Sequence, residues 1–199
     1  EMCIRDSGHS ACVLDKGRRI GGRVSTRGAE GFTFNHGAQF LTARQEAFIT
    51  VCAQAETAGA LNPWQVAGRD AFCGAPTMRD LPAFLGQGLD IRQQAEVTEL
   101  TRHDGAIVCN GADGELARGH RIVMTAPAPQ AARLLARIAD DLSATAQTAV
   151  YAPCWTGMYG FDVADLPALA APTGADSGPV GWACCCLLYT SDAADDDRG

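Results

Sequence analysis

Apolar and polar positions change period several times along the chain, and each change predicts an element. "SACVL" is a short apolar run that stops at Asp15, the pattern of a buried strand. "GFTFNHGAQF" alternates at Phe32 and Phe34 before reaching His36, which predicts a second extended piece. In "ARQEAFITVCAQAETAGAL" the apolar positions Phe48, Val51, Cys52 and Ala55 follow helical spacing, with Gly59 as the stop. "NPWQVAGRDAFCGAP" predicts a hairpin broken at Gly68. "TMRDLPAFLGQGL" predicts a helix capped by Thr77, with Met78, Leu81, Phe84 and Leu85 facing the core and Gly86 or Gly88 at its end. Pro82 falls near the first turn, where no intrahelical N–H is lost.

From Asp90 onward the pattern shortens into strands, with turn signals at Asp104-Gly105 and Asp113-Gly114. "RIVMTAPAPQAARLLARI" predicts a strand, a proline-bearing turn and a helix, and "AVYAPCWTGMYGFDV" a further strand-like run. "DVADLPALAAPTGADSGP" reads as a loose, proline-rich connection. Strands alternating with helices, then a run of hairpins, predict an α/β nucleotide-type domain carrying a β-rich insertion.

The two ends change what is read as protein. Met2 to Asp6 and Cys186 to Ser191 can be translated from opposite strands of one DNA element, as a sequencing adapter would be. Residues 1–7 and 184–199 are therefore set aside from fold reasoning, and the natural protein is expected to be longer at both ends. Of the formal charge of −7, Glu1, Arg5 and Asp6 supply −1, and Asp192, Asp195, Asp196, Asp197 and Arg198 supply −3. The remaining −3 over the interior argues against a nucleic-acid or anionic-membrane surface. Cys12, Cys52, Cys73, Cys109 and Cys154 are widely spaced and contain no C-x-x-C, so they form neither a disulfide framework nor a zinc site. They read as buried, reduced thiols of a cytoplasmic protein. No apolar run approaches the roughly 18–20 residues of a membrane span.

The candidate chemistry lies in "DKGRRIGGRVST", Asp15 to Thr26. An acid at the carboxyl end of a strand in a βαβ unit is placed to accept hydrogen bonds from ribose hydroxyls. Gly21 and Gly22 permit close backbone approach to a pyrophosphate, their amides can form an anion-binding nest, and Arg23 supplies a planar charge for bidentate phosphate contact. A solvated turn with its arginines in water fits the same spacing. No G-x-G-x-x-G precedes Asp15, which stands too near the chain start for one to fit.

Five blocks in order carry a resemblance: "VLDKGRRIGGRVSTR", "FTFNHGAQFLTAR", "MRDLPAFLGQGLDIRQQAEVTEL", "IVMTAPAPQAARLL" and "PCWTGMYGFD". Together they resemble the bacterial renalase-like flavoproteins, within the wider group of FAD-dependent amine oxidases and NAD(P)-binding oxidoreductases. The resemblance covers about residues 8–183. It implies an FAD/NAD(P)-binding Rossmann-like domain with an inserted antiparallel β-rich substrate domain, here incomplete. The FAD-binding parts would be 8–61 and 77–135, and the substrate-domain parts 62–76 and 136–183.

The resemblance also implies roles. Asp15 would bind ribose, and Gly21, Gly22 and Arg23 would cover the FAD pyrophosphate with Lys16 and Ser25 as neighbours. His36, Gly37, Ala38 and Gln39 would pass the isoalloxazine ring, Val97 would meet the adenine, and Ala126 and Pro127 would form the turn below the cofactor. Asn35 stands where relatives often carry Asp, and Arg19 where glycine is frequent. The implied activity is hydride transfer from a reduced nicotinamide-type or amine substrate to flavin, with dioxygen as oxidant. NAD(P)H is one candidate substrate.

Other residues keep two readings. His36 serves as a base or positions its backbone, and it has no carboxylate partner in the local sequence. Trp64, Trp155 and Tyr159 wall a substrate cavity or fill a core. His103 and His120, beside turn signals, are expected in solvent. A pyridine-nucleotide dehydrogenase or epimerase, and a non-catalytic nucleotide-binding module, are the alternatives. The first leaves "GGR" and "HGAQF" without a role.

Overall fold

The computed structural model describes residues 8–66, 69–161, 173–174 and 182–183. The adapter-like ends, Gly68 and most of the proline-rich connection lie outside the described residues. The chain divides into two compact units, Glu1–Arg19 with Leu89–Trp155, and Ile20–Gly88 with Thr156–Gly199.

The first unit opens with β1 (Cys12–Leu14), which pairs in parallel with β6 (Asp90–Arg92), Cys12 opposite Asp90 and Leu14 opposite Arg92. Parallel neighbours cannot be joined by a tight turn and need a long crossover, so the whole of residues 15–89 fits between them in sequence. It is the one parallel pair among the described strands. Next come β7 (Glu99–His103), β8 (Ala106–Gly111) and β9 (Gly114–Gly119) as an antiparallel meander. At the first turn Asp104 and Gly105 both take positive φ (49° and 75°), the two-residue turn whose twist matches that of its strands. At the second, Gly111 pairs with Gly114, so Ala112 and Asp113 form the loop and Gly114 (φ +122°) is already in the strand. Leu100 and its partner Cys109 are buried on one face of this sheet, and Val108 is buried on the other.

The unit continues with α3 (Ala128–Leu135) and α4 (Asp140–Gln147). Buried Ser143 donates its hydroxyl to the Ala132 carbonyl at 2.8 Å, tying one helix to the other. Helix α4 is absent from the sequence reading, although Asp140 and Asp141 in its first turn are a start signal that suits the helix dipole.

The second unit holds β2 (Arg27–Ala29) and β3 (Phe32–Phe34), α1 (Glu46–Thr57), β4 (Leu61–Val66) and β5 (Arg69–Gly74), and α2 (Asp80–Leu85). β2 pairs with β3, and β4 with β5, both antiparallel. Its core is Cys52 and Ala55 of α1, Ala60, Leu61 and Leu81, packed by Leu41, Phe48, Phe72, Phe84 and Leu85. Helix α1 runs over the predicted stretch and is stopped by Gly59 at φ +74°, whose N–H bonds the Glu56 carbonyl. Before α2, Thr77 donates its hydroxyl and its backbone N–H to one oxygen of Asp80, at 2.6 and 2.9 Å. Thr77 thus belongs to the helix entry as expected, though Arg79 is the capping position. β10 (Thr173–Gly174) and β11 (Trp182–Ala183) form a short antiparallel pair.

Two predicted strands are corrected. Arg121–Thr125 and Ala149–Phe161 join no ladder, and a strand without a partner leaves its backbone groups to water. Val123 and Val150 are accordingly exposed. The thiol expectation is corrected in part: Cys52, Cys73 and Cys109 are buried, while Cys12 and Cys154 are exposed, and all five are free.

Candidate functional site

In the second unit the glycine loop and the "HGAQ" segment prove to flank the two strands of one hairpin. Strands β2 and β3 pair Ala29 with Phe32 and Arg27 with Phe34, closed by Glu30 and Gly31 at positive φ. The same register continues beyond both strands. Thr26 donates its hydroxyl to the Asn35 side-chain oxygen at 2.8 Å. Ser25 Oγ and His36 Nε2 lie 3.1 Å apart, and the Ala38 N–H donates to the Arg23 carbonyl at 3.0 Å. Each step outward on one arm is matched by one step on the other, so Val24 faces Gly37.

That last position explains a glycine. A Cβ built at Gly37 would collide with the backbone carbonyl of Arg23 and come within 3.4 Å of the Ser25 nitrogen. Only a hydrogen fits between the arms. On the loop itself, Gly21 takes φ +124° and accepts a hydrogen bond from the Val24 N–H at 2.8 Å. A Cβ there would stand 2.9 Å from the Val24 carbonyl oxygen. Gly22 takes φ +53° with open space around it. Gly22 and Arg23 are exposed, and their amides and the Arg23 guanidinium have no hydrogen-bond partner among the described residues. An exposed glycine turn with unspent donors and a fixed cation is what an anionic group requires of a backbone.

The inner end of the stem is anchored. The Asn35 side-chain oxygen accepts both the buried Thr26 hydroxyl and, at 3.2 Å, the Met78 N–H. Arg79 donates from Nη2 to the Thr26 carbonyl. In the sequence Asn35 stands out only as a departure from Asp, and Thr26 and Arg79 carry no signal of their own. The missed signal was "EG" at Glu30-Gly31, a turn that sets the register by itself. Here Asn35 needs only an acceptor oxygen, which Asn and Asp both possess.

Beyond Gln39 the chain reaches β5 through a backbone exchange between Leu41 and Phe72, 2.9 Å in each direction. Phe40 stands edge-on to Trp64, centroids 5.8 Å apart. Trp64 is therefore a half-buried packing partner of the segment that follows His36. Trp155 and Tyr159 are exposed, Trp155 at 97%, so neither fills a core. His103 and His120 are exposed as expected.

The first unit holds Asp15, Lys16, Val97, Ala126 and Pro127. Asp15 ends β1 with its N–H on the Arg92 carbonyl and its own carbonyl accepting the Ala95 N–H, both 2.9 Å. One carboxylate oxygen takes the Gly17 N–H at 2.8 Å and turns the chain, while the other has no partner among the described residues. Lys16 is exposed. Val97, half-buried, follows Ala95 by two residues and precedes Thr98, whose N–H bonds the Asn110 carbonyl at 2.8 Å. Asp15 and Val97 thus sit on neighbouring segments of one unit. Ala126 is half-buried beside Pro127, which caps α3 and accepts the Gln130 and Ala131 N–H groups. The Tyr151 hydroxyl accepts the Ala128 N–H at 3.1 Å.

Burial pushes the thiols of Cys52, Cys73 and Cys109 up from the ordinary range, which disfavours their thiolate forms. No group of three or more metal-ligating side chains occurs among the described residues, and none of their helices is long and apolar enough to cross a membrane.

Residues 3–55 match the NAD(P)-binding Rossmann-like domain family. The N-terminal part of this protein is a dinucleotide-binding segment. The matched stretch contains Asp15, Lys16, the Gly21-Gly22-Arg23 loop, Ser25 and His36 to Gln39, and stops within α1. Val97, Ala126 and Pro127 lie beyond it. A Rossmann-like segment followed by antiparallel sheets is therefore the fold at the level the match supports, with FAD or NAD(P) as its class of ligand.

Proposed function

We propose that the chain is part of an FAD-dependent oxidoreductase of the renalase-like or amine oxidase-like kind. The observation that carries this reading is the set of bonds beyond Arg27/Phe34, at Thr26–Asn35, Ser25–His36 and Arg23–Ala38, which brings the basic glycine loop and the "HGAQ" segment together. A single NAD-type ribose acid would need no such device. In this reading the free oxygen of Asp15 accepts from ribose hydroxyls, and the Gly22 and Arg23 amides with the Arg23 guanidinium hold the pyrophosphate. Lys16 adds positive charge. Ser25 neighbours the pyrophosphate loop, His36, Gly37, Ala38 and Gln39 line the passage of the ring, Val97 meets adenine, and Ala126 and Pro127 support the cofactor from below.

The residues fit such a group on one count, the unspent donors of the loop, since the space beside Gly37 is taken by the Arg23 carbonyl. The chemistry such a cofactor supplies is hydride acceptance from a reduced nicotinamide-type or amine substrate and reoxidation by dioxygen to hydrogen peroxide. The chain's own part is to bind and orient, which needs no acid–base cluster. Residues 62–76 and 136–183 would contribute the substrate side.

A second reading, an NAD(P)-dependent dehydrogenase or epimerase, is favoured by the description of the matched family. The test is the spectrum of protein purified from the uninterrupted reading frame around residues 8–183. Visible flavin absorption, with FAD released on heating, is expected. A colourless protein that takes up NAD+ or NADP+ in preference to added FAD overturns the proposal in favour of the second reading.

A further inference from the structure

The Ser25–His36 pair is left without a task by the hairpin register alone, since the stem is already closed on either side of it. Ser25 Oγ meets His36 Nε2 at 3.1 Å. The other ring nitrogen, Nδ1, is shut off from solvent and has no partner among the described residues. The ring as a whole is half-buried, and its neighbours Gly37 and Ala38 are exposed, so it stands at the edge of its unit rather than in the core. A buried nitrogen without a partner costs free energy and asks for a reason.

The Ser25 hydroxyl can donate to Nε2 or accept from it, and the choice fixes what Nδ1 offers. If Ser25 donated, Nδ1 would carry a proton with nothing to receive it, and orphaned buried N–H groups are the rarest kind. If Nε2–H donates to Ser25, Nδ1 is left with a lone pair, and the half-buried Ser25 hydroxyl proton is free to turn toward water.

We propose that Ser25 holds His36 in the Nε2–H tautomer so that Nδ1 stands as a bare acceptor for an uncharged N–H or O–H group of the bound dinucleotide. This deepens the proposed function and rests on it. It separates the two ends of the stem chemically. Arg23 and the glycine amides are donors and take phosphate oxygens, whereas His36, two positions in from the Arg23–Ala38 pair, rejects them and selects a donor-bearing part of the ligand. Ser25 is then a positioning residue that acts through His36.

The test is long-range proton–nitrogen NMR of the imidazoles in protein made from the uninterrupted reading frame around residues 8–183, with the His36 signals identified by their loss in His36→Gln. The expected spectrum shows a protonated-type Nε2 and a bare-type Nδ1. Ser25→Ala is expected to mix the tautomers and Ser25→Thr to keep the wild-type pattern. Should Ser25→Ala fail to fold, the Ser25→Thr pattern and the ligand titrations still decide.

Added FAD, its binding followed in the same sample by flavin fluorescence, is expected to shift Nδ1 as a nitrogen that accepts a hydrogen bond. Inorganic pyrophosphate is expected to leave both nitrogens in place. FAD that binds without moving Nδ1, a protonated-type Nδ1 in the free chain, or imidazolium-type shifts with pyrophosphate would each overturn the inference while leaving the cofactor reading intact. FAD that does not bind at all overturns that reading, and the inference with it.

Discussion

Replacing Gly37 by alanine tests the hairpin stem most directly. The added Cβ collides with the Arg23 carbonyl oxygen, a backbone atom that no rotamer change can move, and also crowds the Ser25 nitrogen at 3.4 Å. Relief requires the two arms to part, which breaks the Ala38 N–H bond to Arg23. The lost hydrogen bond costs about 0.5–1.5 kcal/mol net. Overpacking against a fixed neighbour adds about 1–3 kcal/mol. The sum, about 1.5–4.5 kcal/mol, corresponds to a drop in melting temperature of roughly 3–18 °C for a chain of this size. Gly22→Ala is the matched control, because its Cβ meets open space and only the left-handed backbone is penalised, at about 1 kcal/mol. Thermal unfolding of the three proteins, with hydrogen exchange at the Ala38 amide, reads both effects. If Gly37→Ala melts no lower than Gly22→Ala and keeps the Ala38 amide protected, the arms are not in contact and the reasoning fails.

Asn35→Leu strands the Thr26 hydroxyl and the Met78 N–H, a cost of about 1–3 kcal/mol for each buried group. Asn35→Asp, which keeps an acceptor oxygen, is expected to melt close to wild type at neutral pH, and equal melting of the two variants would remove the anchoring role. Met78→Ala, at a site 1% exposed, is expected to cost about 2–5 kcal/mol in chemical denaturation, and a loss under 1 kcal/mol would contradict its place in the core. Arg118 grips both oxygens of Glu115, at 2.7 and 2.6 Å, and holds its carboxyl below the usual glutamate range. Because that folded-state value is depressed, the pair's support is present above the ordinary glutamate range and is lost as pH falls through the lowered one. Carbon NMR should find the Glu115 midpoint low in the wild type and restored in Arg118→Ala or high salt. Alkylation with peptide mapping at mildly alkaline pH should label Cys12 and Cys154 and spare Cys52, Cys73 and Cys109 until the protein unfolds.

Helix α1 was legible because four apolar positions and one glycine all pointed the same way, and the Asp104-Gly105 turn because its two residues demand positive φ. Local chemistry decides such elements, so the sequence suffices. Arg121–Thr125 and Ala149–Phe161 failed for the opposite reason. An apolar run says only that a segment would suit a ladder, and the partner that makes it a strand lies elsewhere in the chain. Helix α4 was hidden by its weak apolar face, for only Ser143 is buried, and what holds it is a hydroxyl bond to the previous helix.

The candidate site falls between these cases. "GGR" and "HGAQ" each carry composition that hints at a ligand, but ten residues of ordinary sequence separate His36 from Ser25 and nothing in either motif names the other. The two-residue turn at Glu30-Gly31 is what joins them. With Ala29 opposite Phe32, the same register carried outward brings Ser25 to His36 and Val24 to Gly37, where the close approach of the Arg23 carbonyl leaves no room for a Cβ. The glycine of "HGAQ" therefore follows first from the stem's own packing. Any account of the motif by a ligand has to begin from the residues the stem leaves over, which are the Gly22 and Arg23 donors on one arm and the His36 Nδ1 on the other.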